Sequence, residues 1–104
     1  MLNFKEVITV RLSNIHDTLI ERGAIHEGDP SLMECIYGED APIGQNFLKF
    51  WLNWDAMELE KELDNVEQRE GPRFRRAAEI YLAMLRLLQE HLPNVPYILI
   101  DLRW

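Results

Sequence analysis

Cysteine is almost missing from this chain. Cys35 has no second thiol to pair with, so no internal disulfide staples the fold, and a reducing compartment is the simplest setting. No apolar run approaches the ~20 residues that cross a bilayer. The opening MLNFKEVITVRL has neither the basic flank nor the small-residue cleavage site of a secretory leader. A soluble, cytoplasmic protein with no membrane contact is therefore expected. Repeats, low-complexity tracts and linkers are also missing, so residues 1–104 are expected to form a single domain with its own core. Positive charge is scarce: 11 Lys and Arg stand against 18 Asp and Glu, a formal −7. That net field repels a bare nucleic-acid backbone and suits a basic protein partner, so no direct nucleic-acid contact is expected.

Catalytic motifs are lacking too. There is no H-E-x-x-H, C-x-x-C, glycine-rich phosphate loop or G-x-S-x-G. His16 and Asp17 are adjacent, as are His26 and Glu27, and adjacent helical residues diverge by about 100°, which makes neither pair a ligand set. His91 suits the carbonyl end of a helix. Cys35 has no basic neighbour in sequence to lower its pKa. Neither enzyme activity, metal nor cofactor is expected.

The elements are punctuated by capping residues. Residues 3–22 admit two patterns. Phe4, Ile8, Leu12, Ile15 and Leu19 fit one helix, with Asn3 and Glu6 as a capping box and Gly23 as the stop. Alternatively, Val7 to Val10 form a β-branched strand and Ser13 caps a shorter helix. The longer helix is favoured. Ser31 with Glu34 opens a short helix closed by Gly38, and residues 39–44 read as a turn. Phe47, Phe50, Trp51 and Trp54 recur at helical spacing, so FLKFWLNW is expected to be a helix. Its surplus of apolar residues fits either a core position or a homodimer contact. Asp55 with Glu58 caps a further helix over 55–70. Gly71-Pro72 breaks the chain, and the last helix runs to Pro93. The tail YILIDLRW alternates: Ile98, Ile100, Leu102 and Trp104 point one way, and Tyr97, Leu99, Asp101 and Arg103 the other. The expected fold is mainly α, a compact bundle of about five helices with an extended C-terminal segment. The alternative is an α/β chain with a small sheet pairing residues 7–12 and 97–103.

The 55–70 helix is unusual in carrying seven carboxylates (Asp55, Glu58, Glu60, Glu62, Asp64, Glu67, Glu70) against only Lys61 and Arg69. At 100° per residue, Ala56, Leu59, Leu63 and Val66 form its apolar face. Glu60, Asp64 and Glu67 line one flank, and Asp55, Glu58 and Glu62 the other. The like-charged i, i+4 pairs Glu58–Glu62 and Glu60–Asp64 each cost a few tenths of a kcal/mol. A solvated, solubilising face explains such a run as readily as a binding face does. Arg73, Arg75 and Arg76 open the next helix and are expected to cover the carboxyl end, Arg75 facing Glu67, without reaching Glu60. The row of Glu60 and Asp64, with Met57 beside it, is then left for a basic partner.

The fragments IYGED (Ile36 to Asp40), RLSNIHDTLIERG (Arg11 to Gly23) and a last helix followed by YILIDL (Tyr97 to Leu102) together resemble the barstar-like ribonuclease inhibitors. Those are small acidic α/β proteins that block a nuclease with an acidic helix and loop. Tyr37, Gly38 and Glu39 match the family residue by residue, and the resemblance implies a contact at Glu39. Pro42 and Gly44 then interrupt the family pattern, and the following segment carries Lys49 where the family has acids. The family also has a middle strand before its last helix, a place given to the acidic helix here. Charge, size and resemblance together lead to an expected function: an immunity- or antitoxin-type inhibitor that neutralises a basic protein, a toxin nuclease foremost, by occluding its positive cleft. The expected contacts are Glu60, Asp64 and Glu67, flanked by Glu58, Glu62, Met57, Glu39 and Asp40. The rival is a homo-oligomeric assembly module joined through the Phe47–Trp54 helix or the C-terminal segment.

Overall fold

The structure, a computed structural model, describes residues 7–38 and 43–104. The described elements follow the order β1 (Thr9–Arg11), α1 (Leu12–Glu21), α2 (Leu32–Tyr37), β2 (Phe47–Trp51), α3 (Ala56–Lys61), α4 (Leu63–Glu70), α5 (Pro72–His91) and β3 (Tyr97–Asp101). The strands form a three-stranded mixed sheet in the order β1-β3-β2, with β1 parallel and β2 antiparallel to β3. The architecture is therefore mixed α/β, which corrects the mainly α bundle expected from the sequence.

The strands β1 and β2, both in segments expected to be helical, have one cause. The strand β3 carries Ile98 and Ile100, fully buried, at the centre of the sheet, and its backbone donors and acceptors need partners on both sides. The pairs Thr9↔Leu99 and Arg11↔Asp101 satisfy one edge, and the run from Phe47↔Asp101 to Trp51↔Tyr97 satisfies the other. Residues 7–11 are thus drawn out of the expected long helix. Helix α1 starts at Leu12 behind Arg11, not at a Ser13 cap. Residues 47–51 are a strand and not a helix: Leu48 and Phe50 face the helices, while Phe47, Lys49 and Trp51 face away. Four aromatic and aliphatic residues around Lys49 fit both the helical and the strand period, and the unpaired edge of β3 decides between them.

The local punctuation follows the sequence more closely. Ser31 Oγ accepts from Glu34 N at 3.2 Å, and Asp55 Oδ1 accepts from Met57 N at 3.0 Å, each satisfying a free donor of a first helical turn. Gly23, at φ 73°, turns the chain out of α1 while Ala24 N donates back to Leu19 O at 2.9 Å. Pro72 occupies the first turn of α5, where a missing N–H costs nothing.

The 20-residue helix α5 is the spine. Ile80, Met84, Leu85, Leu87 and Leu88 are buried against Leu12, Ile15 and Leu19 of α1, Leu32 of α2 and the inner face of the sheet. Gln89 Nε2 donates to Leu52 O at 2.9 Å and Trp54 O at 2.8 Å, tying the β2–α3 connection to the end of that spine. The helical core residues meet one face of the sheet; no described helix packs on the other.

Candidate functional site

The acidic stretch is two helices. The chain turns at Glu62, whose φ −85° and ψ −7° end α3 and lead into α4. Both like-charged pairs identified in the sequence, Glu58–Glu62 and Glu60–Asp64, meet or straddle that break. Leu63 is buried, while Ala56, Leu59 and Val66 are half-buried, so the apolar stripe does face inward.

The row of Glu60, Asp64 and Glu67 lies against α5. Arg86 Nη2 donates to Glu60 Oε2, and Arg75 Nη1 donates to Asp64 Oδ1 at 2.5 Å, with Glu67 Oε1 3.9 Å from Arg75 Nε. The expectation that no arginine reaches Glu60 is thereby corrected. It counted only the arginines near Gly71, whereas α5 continues antiparallel past α4 and brings Arg86, three turns further on, beside α3. These carboxylates are paired but not buried; the Asp64 side chain remains 83% exposed. The opposite flank is freer. Glu58 meets Lys61 of its own helix at 3.0 Å and Glu62 accepts from Asn65 at 3.2 Å, both at the surface. Beside them Met57 is 69% and Trp54 52% exposed. Glu39 and Asp40 lie outside the described residues.

The arginine cluster is engaged within the molecule. Arg73 pairs with Glu34 at 3.0 Å, and Arg75 also reaches Glu79. Arg76 donates to both oxygens of Asp29, at 3.0 and 2.8 Å, and to Ala24 O at 2.8 Å, locking the α1–α2 loop onto α5. That fork and the His26 N–H hold the Asp29 carboxyl down at about 2. Cations in a first helical turn oppose the helix dipole, and these carboxylates offset the cost.

A groove between α2, α3, α4 and α5 is lined by Cys35, Leu59, Leu63, Val66, Phe74 and Tyr81. Burial, with Glu34 adding to it, pushes the Cys35 thiol up to about 11, so it is protonated at neutral pH and a poor nucleophile. Among the described residues no group of three or more His, Cys, Asp and Glu side chains is placed to hold a metal ion. His16 stacks edge-on against Trp104, ring centroids 5.0 Å apart. No described helix is long and apolar enough to cross a membrane.

The outer sheet face is the surface that sequence reasoning did not assemble. Three cross-strand rows stand on it: Arg11–Asp101–Phe47, Thr9–Leu99–Lys49 and Tyr97–Trp51. Lys49 Nζ lies 4.5 Å from the Trp51 ring centroid and 4.2 Å from that of Tyr97, and the Arg103 guanidinium lies 5.0 Å from that of Phe47. The alternation of YILIDLR already placed Tyr97, Asp101 and Arg103 together. The helical assignment of 47–54 hid the other half. It also placed the expected homodimer contact on a helix, where the structure has a strand and the turn leading out of it.

No protein-family model matches this chain, and neither does any curated protein or solved structure.

Proposed function

We propose that this protein is a cytoplasmic binding protein without chemistry of its own, which neutralises a basic protein, a toxin nuclease foremost, through the acidic surface of α3 and α4. The observation that carries the proposal is the exposed pair Trp54 and Met57 beside the outward carboxylates Asp55, Glu58 and Glu62. An apolar anchor rimmed by charge is the anatomy of a protein interface, in which a buried aromatic supplies affinity and the surrounding charge supplies association rate and selectivity. Glu60, Asp64 and Glu67 join the contact as a second row. A partner cation there must compete with Arg86 and Arg75, so the centre of the interface shifts towards Glu58, Glu62 and Met57. Glu39 and Asp40 are proposed as flanking contacts.

The test is inhibition of a panel of small basic nucleases by the purified chain at low salt, with stoichiometry read by calorimetry. One-to-one inhibition that weakens as salt rises is expected. Trp54→Ala, and separately Glu58→Lys with Glu62→Lys, should each weaken it about tenfold or more while circular dichroism is unchanged. Inhibition indifferent to both variants would remove this surface from the interface, and inhibition of no nuclease would remove the nuclease as partner.

A further inference from the structure

The open sheet face carries a charge opposite to that of the whole chain. Among the described strand residues and Arg103, the cations Arg11, Lys49 and Arg103 stand on it against Asp101 alone. Asp101 is already taken, since Arg103 Nε and Nη2 donate to its two oxygens at 2.9 and 3.0 Å. Among the described residues neither Arg11 nor Lys49 forms an ion pair. The same face displays Phe47 and Trp51, 40% and 44% exposed, with Tyr97 beside Trp51 at a ring-centroid distance of 5.3 Å.

We infer that this face binds single-stranded nucleic acid, two bases stacking at Phe47 and at the Trp51–Tyr97 pair, with the phosphate between them held by Lys49 and those flanking Phe47 met by Arg11 and the remaining donors of Arg103. Four residues of extended strand set Phe47 and Trp51 about 13–14 Å apart, room for bases splayed onto separate rings. Lys49 stands between them on the same face with its Nζ over the Trp51 and Tyr97 rings, and a base stacking there turns it from those rings to the linking phosphate. Aromatic rings on an open sheet with cations interleaved suit stacking on any base, because every base has a π-face. A duplex keeps its bases stacked inside and offers no such contact. The net −7 does not forbid binding: the Debye length is about 8 Å at physiological ionic strength.

The test is fluorescence anisotropy of a labelled eight-nucleotide oligo-dT or oligo-U with the full chain at low salt, alongside quenching of tryptophan emission. Binding of the single strand in preference to a duplex of the same length is expected, with log K falling against log salt at a slope of about −1.4 to −2 for two to three phosphate contacts. Lys49→Glu should weaken binding roughly tenfold, and Trp51→Ala or Phe47→Ala roughly five- to a hundredfold. All three positions are exposed, so circular dichroism of each variant should match the parent. Failure to bind at low salt would overturn the inference, as would binding unchanged in Lys49→Glu and Trp51→Ala. A poly-glutamate peptide that bound as tightly would reassign the face to acidic protein segments. A dimer in sedimentation that Trp51→Ala dissolved would reassign it to a second copy of the chain.

Discussion

Asp29 and Asp101 are held more firmly than any carboxylate of the acidic stretch. Each meets an arginine fork and a backbone N–H, at Arg76 and His26 for the first and at Arg103 for the second, and each is held down at about 2. An unfolded Asp titrates near 3.9. Because the folded value lies below the unfolded one, the stability these groups contribute is present above about pH 4 and is lost as pH falls towards 2. Thermal melts taken from pH 6 to pH 2 should show a falling midpoint over that window. Asp29→Asn should start from a lower midpoint at neutral pH and fall less steeply. The carboxylates of α3 and α4, though more numerous, share exposed arginines and a lysine across solvent and are worth little individually.

At the scale of elements, the sheet divides into a face that holds the fold and a face that does not. Ile100 is fully buried beneath α5, so Ile100→Ala should cost about 2–5 kcal/mol in urea denaturation, through lost burial and the cavity left behind. Trp51, in the neighbouring strand but on the outer face, gains chiefly a cross-strand contact with Tyr97, and Trp51→Ala should cost no more than about 1 kcal/mol. The reverse order of costs would mean that the outer face is covered. The tail's alternation made β3 legible because its apolar residues recur with a clean period of two. The five residues of β2 carry no such signal: Phe47, Phe50, Trp51 and Trp54 satisfy the helical period equally well, and only Phe50 of the four is buried. Helix α5 was legible along its whole length, since 20 residues sample the helical period many times over and Pro72 and Pro93 bound it.

At the scale of the whole molecule, α5 packs against all four other described helices and reaches the sheet through Tyr81 on Phe50, so the described elements are expected to unfold together. Tryptophan emission, which reports Trp51 and Trp54 around β2 and Trp104 against His16 of α1, and far-ultraviolet circular dichroism, which reports the helices, should give coincident urea transitions. A fluorescence midpoint clearly below the helical one would show that the sheet edge opens independently. The sequence alone determined the starts and stops that rest on local hydrogen bonds: the Ser31 and Asp55 caps, the exits at Gly23 and Gly38, Pro72 in the first turn of α5. It also determined the long-period pattern of α5 and β3 and the net charge. Tertiary structure decided which short segments became strands, because β pairing depends on partners as distant as residues 9 and 99, and propensity over three to five residues cannot choose them. It likewise decided which carboxylates meet arginine, since Glu60 and Arg86 come together only once α5 lies back along α3. Finally, it separated a chain of −7 into an acidic helical layer and a cationic, aromatic sheet face, because strand pairing sends alternate side chains to opposite sides and the helices cover only one of them.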